Sequence, residues 1–123
     1  MARWPTDYKR VTSPFGASTG RKSPHTGLDI ENPQGGNVYA THAGVVKSTS
    51  PSPEGGNQIV IHNDDGSVSG YAHTAAKVSA GQKVAEGQPI GNSDGSGTGS
   101  PHLHYTYRRC RSCAKEDPRP YLP

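Results

Sequence analysis

Two histidines separated by one residue, His102 and His104, are the clearest candidates for chemistry in this sequence of 123 residues. They lie in residues 100–107, where they alternate with leucine and tyrosine. An alternation with a period of two predicts a β-strand, and a strand carries both imidazoles on one face. Two imidazoles side by side suit a metal ligand next to a proton-transfer group. A single His-x-His pair is a weak signal, so the interpretation depends on further ligands elsewhere in the chain.

A second alternating segment, residues 25–30, carries His25 and Asp29 on one face of a predicted strand. Together with His104 they form two imidazoles and one carboxylate, a ligand set of catalytic zinc sites that leaves a fourth position for water. Such a site lowers the pKa of bound water to about 7 and so supplies a nucleophile at neutral pH. The glutamate base of His-Glu-x-x-His enzymes is missing. We therefore expect His73 and His102 to transfer protons.

The elements that must position these residues are short strands. Only 29% of the residues are hydrophobic, and 16 glycines and 11 prolines divide the chain into short pieces. No window sustains the period of a long helix, so we predict one all-β domain over residues 1–123 with little or no helix. Residues 1–10 form an extended lead-in, anchored by Trp4 and Pro5. Residues 108–123 form a C-terminal hairpin tip and tail.

The clearest strand is residues 58–62, followed by a hairpin turn at 63–66 and a partner strand at 67–73. Other short strands are predicted at residues 10–16, 38–40 and 43–47, and around Val78, Val84 and Ile90. His42 and His62 match no ligand position and are predicted to be surface or turn residues.

The net charge and the hydropathy of the chain limit the classes of partner and location that fit it. Thirteen Lys and Arg against ten Asp and Glu give a net charge of +3. The excess is small and scattered, which argues against a nucleic-acid partner and fits anionic surfaces such as cell-wall polymers. No apolar stretch is long enough for an integral membrane segment, and the first ten residues lack the apolar core of a signal peptide. We expect either export by another route or a mature or trimmed form.

Five motifs occur in a familiar order. They are Ser-Pro-Phe-Gly at 13–16, His-Thr-Gly-Leu-Asp-Ile at 25–30, Gly-Val-Val at 44–46, Gly-Tyr-Ala-His at 70–73 and Ser-Pro-His-Leu-His-Tyr at 100–105. In this order they resemble the lysostaphin/LytM-type zinc endopeptidases, which cut peptidoglycan peptides. Residues 84–91 and the closing Asp117 and Pro118 fit the same pattern. The resemblance extends over about residues 11–122.

The resemblance implies a fold and a set of roles. The fold is an antiparallel sheet with a groove walled by loops, here residues 17–24, 48–56 and 92–100. The Zn²⁺ ligands are His25, Asp29 and His104, with one ion per chain. The catalytic histidines are His73 and His102; one takes a proton from water and the other stabilises the oxyanion or protonates the leaving amine, in an order left open. Candidate substrate-binding residues, with packing as the alternative for the first two, are Asn57, Tyr71 and Thr98.

The chain also departs from the family pattern. Tyr105 and Thr106 replace the phenylalanine and acidic residue that often follow His-Leu-His. The loop at 17–24 has no tyrosine, which members specialised for glycine bridges often carry there. We therefore expect cleavage next to D-Ala in ordinary cross-linked stem peptides rather than in glycine bridges. The expected place of action is the bacterial cell wall, as a phage lysin or as a domain of a larger autolysin, and the expected state is a monomer.

Cys110 and Cys113 do not belong to the site. No companion Cys-x-x-Cys accompanies them, so a second zinc site is not expected, and a thioredoxin-like role would need a βαβ context that is missing. They are predicted to form a structural disulfide or to remain inert thiols on a hairpin tip.

Two other functions remain open. Residues 45–90 also resemble the small β-hammerhead of biotinyl and lipoyl carriers, which would make the chain a non-catalytic carrier or binding module. That alternative lacks a modifiable lysine in the usual hairpin. A non-catalytic wall-binding or activator relative is the other alternative, although all five His and Asp positions are filled here.

Overall fold

A computed structural model describes residues 3–17, 25–51, 56–96 and 101–123. Its strands are β1 Val11–Ser13, β2 Leu28–Glu31, β3 Asn37–Tyr39, β4 Gly44–Ser48, β5 Gln58–Asn63, β6 Val68–Ala72, β7 Thr74–Ala76, β8 Lys83–Val84, β9 Pro89–Ser93 and β10 His102–Arg108. Within the described ranges the helical structure is one 3-10 turn, Arg119–Tyr121. No helix there has the length and apolar character needed to cross a membrane. The all-β prediction is confirmed.

Seven strands form one antiparallel sheet in the order β1-β2-β10-β6-β5-β4-β8. Strand β10, which carries the two histidines of the His-x-His pair, lies between β2 and β6. The hairpin β5–β6 forms as predicted around the turn that follows Asn63. Since β2 and β6 flank β10, the segments of the second and fourth sequence motifs lie beside that of the last motif.

The remaining strands form a three-stranded antiparallel sheet in the order β3-β9-β7. Inward side chains of both sheets build one core, to which β5 contributes Ile59 and Ile61 and β9 contributes Ile90. Burial alternates along β10, where Leu103, Tyr105 and Tyr107 are buried and the intervening residues are partly exposed. The period of two therefore separates a core face from the face that carries His102 and His104.

Two local predictions differ from the structure. Val78 is not in a strand; it lies in a bend, and the strand of this region is β7. His25 precedes β2, which begins at Leu28. The predicted strands at 38–40 and 43–47 are both found, as β3 and β4. The bend at Thr41 and His42 between them takes the chain from the small sheet to the large one.

Both ends of the chain pack on the body. Trp4 is buried, as expected of an anchor, and its Nε1 donates a hydrogen bond to the carbonyl of Pro123 at 2.8 Å. After β10 the chain turns back, so that Glu116 forms a bridge with Tyr107. Cys110 and Cys113 form a disulfide within this tip. Of the two states predicted for these cysteines, the structure has the disulfide.

His42 lies in the bend before β4, as expected of a turn residue, but its ring is mostly covered. Its Nδ1 is 2.8 Å from Thr41 Oγ1, and its Nε2 is 3.9 Å from Asp65 Oδ2. Burial lowers the pKa of His42 and outweighs the opposite effect of the Asp65 charge. His42 is therefore a partly buried turn residue at the edge of the polar cluster formed by Thr41, Tyr71 and Tyr105.

Candidate metal centre and active site

Three side chains from two segments converge on one point. His25 Nε2 lies 3.0 Å from His104 Nδ1, and Asp29 Oδ1 lies 3.2 Å from the first and 3.1 Å from the second. These are the three residues expected to be ligands, and they form the one group of metal-binding geometry within the described residues. A tetrahedral zinc ion with bonds of about 2.0–2.1 Å places its ligand atoms roughly 3.3 Å apart. The observed triangle is close to that size.

The register between β2 and β10 explains why Asp29 and His104 lie together. Asp29 of β2 and His104 of β10 are direct cross-strand partners, so their side chains leave the sheet together on the same face. A Cβ on Gly27 would lie 2.4 Å from the carbonyl oxygen of Tyr105 and 3.1 Å from Cε1 of His104. Only glycine therefore lets the segment before β2 approach β10 this closely.

A short backbone pairing holds His25. The N–H of Gly16 donates to the carbonyl of His25 at 2.8 Å, and the N–H of His25 donates to the carbonyl of Ala17 at 2.9 Å. The ring is buried, and Nδ1 lies 3.1 Å from the carbonyl oxygen of Pro14. Because a carbonyl only accepts, Nδ1 carries the proton and Nε2 turns its lone pair toward the other two ligand atoms.

This donor set fits a divalent cation. His25 Nε2 and Asp29 Oδ1 lie 3.2 Å apart, and both are hydrogen-bond acceptors. Two acceptors this close together need a positive charge between them. Burial acts to raise the pKa of Asp29, but the neighbouring imidazoles of His102, His104 and His25 outweigh this effect and hold the pKa far below its usual range. Asp29 is therefore ionised, as a metal ligand must be.

His73 and His102 lie beside this triangle. Their ring centroids are 4.7 Å apart, His73 is 6.2 Å from the ring of His104, and His102 Nε2 is 3.5 Å from Asp29 Oδ1. The side chains of His102 and His104 are about one-fifth exposed, whereas that of His25 is 4% exposed. The centre thus opens to solvent on the side of the His-x-His pair. The structure brings together all five residues assigned to chemistry from the sequence.

His73 has an unusual backbone. Its φ is 59°, and no other non-glycine residue in the described ranges has a positive φ. It is the single residue between β6 of the large sheet and β7 of the small one. Burial lowers the pKa of His73 and outweighs the hydrogen bond to the Ser96 carbonyl, which raises it. A neutral imidazole at neutral pH follows, the form that can accept a proton.

The three candidate substrate-binding residues fare differently. Tyr71 is fully buried, and its hydroxyl contacts the N–H and Oγ1 of Thr41 and Oγ of Ser69. A role in substrate contact is wrong for Tyr71, which is a core residue. Asn57 is partly buried and bonds to the loop that follows β9. Thr98 lies outside the described residues, as do parts of the three predicted wall loops.

Sequence reasoning missed two groups around the site. Pro14, quoted only as part of a motif, supplies the carbonyl that orients His25. Asp94 and Ser96 form a turn in which the N–H of Ser96 donates to Asp94 Oδ1 at 2.9 Å, and Ser96 in turn contacts His73. The sequence Asp-Gly-Ser at 94–96 is typical of such a turn. Nothing in the sequence, however, connects it to His73.

Comparison with protein families agrees with this geometry. The family model described as "Peptidase family M23" matches residues 23–118, which include all five residues of the site. The chain therefore belongs to peptidase family M23.

Two relatives illustrate the range of the family. Peptidoglycan DD-endopeptidase ShyA of Vibrio cholerae serotype O1 is 41% identical over 112 residues, covering 84% of this chain and 26% of that protein. Murein hydrolase activator NlpD of Escherichia coli K12 is 38% identical over 108 residues, covering 86% of this chain and 27% of that protein. The chain thus corresponds to about a quarter of the length of these relatives.

Solved structures share the fold. A zinc containing peptidase from Vibrio cholerae superposes with a TM-score of 0.81 at 32% identity, covering 94% of this chain and 38% of that one. The catalytic domain of lysostaphin from Staphylococcus simulans superposes with a TM-score of 0.78 at 28% identity, covering 94% of this chain and 91% of that one. The lysostaphin-type fold is confirmed.

Proposed function

We propose that this chain is a zinc-dependent endopeptidase that hydrolyses the peptide cross-links or stem peptides of bacterial peptidoglycan. One observation carries the proposal: His25, Asp29 and His104 converge on a point that opens to solvent beside His73 and His102. A structural zinc site is closed, with four protein ligands, whereas three ligands and an open side are typical of a catalytic one. Family membership and the name of ShyA support the choice of substrate.

The residues divide the work as follows. Zinc bound by the three ligands would polarise the scissile carbonyl and acidify a water molecule. Asp29 would offset part of the metal charge, and because its Oδ1 lies 3.5 Å from His102 Nε2 and 3.1 Å from His104 Nδ1, it aligns the His-x-His pair. The buried ring of His73 and the partly exposed ring of His102 lie beside the three ligands, with their centroids 4.7 Å apart. There they provide a proton acceptor and a hydrogen-bond donor for the oxyanion or the leaving amine.

We propose that the bond cut by this chain lies next to D-Ala in the cross-linked peptides. The loop at 17–24 has no tyrosine of the kind expected for glycine bridges. The name DD-endopeptidase, given to ShyA, describes the same class of bond. The cell wall, outside the cytoplasmic membrane, is accordingly the proposed place of action.

Defined muropeptides test the proposal. The protein is incubated with D-Ala cross-linked dimers and with glycine-bridged dimers, and the new ends are identified by mass spectrometry. We expect cleavage of the first substrate, loss of cleavage with a chelator and recovery with zinc. His73→Ala should retain zinc and lose nearly all activity, whereas His25→Ala should lose zinc. His62→Ala, a histidine outside the site, serves as the matched control.

Each outcome has a defined meaning. Full zinc occupancy in His25→Ala would contradict the ligand assignment, and most of the activity remaining in His73→Ala would contradict its catalytic role. Cleavage that a chelator leaves unchanged would exclude a metal-dependent reaction.

A second candidate is an activator of other murein hydrolases, which the similarity to NlpD favours. The filled ligand positions favour an enzyme instead. Adding the zinc-loaded protein to a separate amidase separates the two functions. Stimulation of the amidase without any muropeptide cleavage by the chain alone would support the activator.

A further inference from the structure

The loop after β9 and the start of β5 meet at His73 through a small polar cluster, formed by Asn57, Asp94 and Ser96. Asp94 Oδ1 accepts hydrogen bonds from the N–H and Oγ of Ser96 at 2.9 and 2.6 Å, and Asp94 Oδ2 accepts one from Asn57 Nδ2 at 2.7 Å. The N–H of Asn57 donates to Ser96 Oγ at 2.8 Å. Every member of the cluster therefore contacts both others.

The cluster also holds His73, by its side chain and by its backbone. His73 Nδ1 lies 2.5 Å from the carbonyl oxygen of Ser96. The N–H of Asp94 donates to the carbonyl of His73 at 3.1 Å. The N–H of Thr74, the next residue, donates to the carbonyl of Asn57 at 3.0 Å. Three hydrogen bonds with two segments, the loop after β9 and the residue before β5, thus hold His73 and its neighbour Thr74. The backbone of His73 is in a left-handed conformation.

We propose that Asn57 and Asp94 are positioning residues that fix the tautomer of His73, with the proton on Nδ1 and the lone pair of Nε2 available to the reacting group. This inference rests on the proposed peptidase function and extends that function by assigning His73 Nε2 as the proton acceptor. A carbonyl oxygen cannot donate, so the Ser96 carbonyl requires a proton on Nδ1. The other nitrogen of the neutral ring is then an acceptor.

Asp94 carries this arrangement because its carboxylate orients the peptide that presents the Ser96 carbonyl. Gly95, between the two residues, has a φ of 68°, which glycine adopts without strain. Without the carboxylate, Ser96 loses two hydrogen bonds, and the carbonyl that fixes His73 is free to turn away. The same loss leaves Asn57 Nδ2 without its acceptor. A wrong or mixed tautomer of a catalytic histidine lowers turnover while the ring stays in place.

The side chains of Asn57 and Asp94 can be exchanged in a test. In Asp94→Asn, one amide oxygen still accepts from Ser96, but the amide nitrogen faces the amide nitrogen of Asn57, two donors at 2.7 Å. In Asn57→Asp, two carboxylates meet. The double variant Asn57→Asp with Asp94→Asn restores one donor and one acceptor with their roles reversed. Asn92→Ala is the control, since Asn92 bonds to Gly35 and Asn37 instead.

Three measurements are made on the zinc-loaded protein. Imidazole ¹⁵N chemical shifts report the tautomer of His73, zinc content reports the metal centre, and muropeptide kinetics give kcat and KM separately. We expect each single variant to keep its zinc, to show a mixed tautomer and to lose about 10- to 100-fold in kcat with little change in KM. The double variant should regain the wild-type tautomer and most of kcat.

The result that overturns the proposal is a wild-type tautomer in both single variants, whatever their activity. An equal loss of kcat in the single and double variants would also overturn it, because that pattern indicates a general structural role. If a single variant does not fold, the double variant decides by the same two readouts. The tautomer is measured without substrate, so a protein that cleaves nothing would refute the proposed function and leave this test intact.

Discussion

Gly27 connects the packing of the sheet to the geometry of the metal centre, and Gly27→Ala tests that connection. An added Cβ would lie 2.4 Å from the Tyr105 carbonyl oxygen, 3.0 Å from Thr106 Cγ2 and 3.1 Å from His104 Cε1. Ordinary contacts between such atoms are about 3.5 Å or longer, so the segment before β2 must move about 1 Å from β10. Overpacking of this kind costs about 1–3 kcal/mol in stability.

The same movement acts on the ligands. His25 and Asp29 flank Gly27 in the chain, while His104 belongs to the strand that the new methyl group pushes away. Zinc ligand distances tolerate about 0.2 Å. We therefore expect Gly27→Ala to weaken zinc binding about 10- to 100-fold, the range found when groups around metal ligands are disturbed.

Gly44→Ala is the matched control. Its Cβ would lie 2.4 Å from the His62 carbonyl oxygen, the same kind of clash between neighbouring strands, but the nearest atoms belong to His62 and Asn63, neither of which is a ligand. Urea unfolding in the presence of a chelator gives the stability of both variants, and competition with a chromophoric chelator gives their zinc affinities. Both should lose stability, and only Gly27→Ala should lose zinc affinity. Wild-type zinc affinity in Gly27→Ala, or an equal loss in Gly44→Ala, would refute this reasoning.

Three further substitutions test separate features. His73→Gly should be more stable than His73→Ala by about 1–2 kcal/mol in the free energy of unfolding by urea, because glycine adopts the left-handed backbone without strain. Equal urea midpoints of the two variants would argue against strain. Tyr71→Phe should cost about 1–3 kcal/mol, since the buried N–H of Thr41 loses its acceptor, and should leave muropeptide kcat/KM unchanged; a large kinetic loss would restore a role at the site. Cys110→Ser with Cys113→Ser opens a four-residue loop, for which chain entropy predicts about 2 kcal/mol of lost stability, with cleavage retained; a thermal melt of the oxidised and reduced wild type gives the same difference independently.

Alternation made the face of β10 predictable. Along this strand the side chains follow the period of two without interruption, so His102 and His104 share a face and Tyr105 points into the core. The partnership with Asp29 did not follow from periodicity, because register depends on which strands become neighbours. The ordered set of motifs, rather than any one pattern, connected these distant segments before the structure did.

Tyr71 shows where the same reasoning fails. Tyr71 is a candidate for substrate contact because it lies in the Gly-Tyr-Ala-His motif, two residues before His73. Uninterrupted alternation would place both side chains on one face. The structure buries Tyr71 and leaves His73 at the site. The positive φ of His73 breaks the parity at that residue. No propensity argument predicts a left-handed histidine, since such a residue persists only where the surrounding structure requires it.

His73 is therefore the place where the requirements of the fold and of the site conflict. A turn of one residue between β6 and β7 favours glycine, whereas the site needs an imidazole, and a non-glycine residue in this conformation costs on the order of 1–3 kcal/mol. The hydrogen bonds from Asp94 N–H to the His73 carbonyl and from Thr74 N–H to the Asn57 carbonyl are on the scale needed to offset that cost. The cluster that we assign to the tautomer of His73 thus also stabilises its backbone. Disturbing this cluster should reduce catalysis and stability together, whereas glycine at position 73 should separate them.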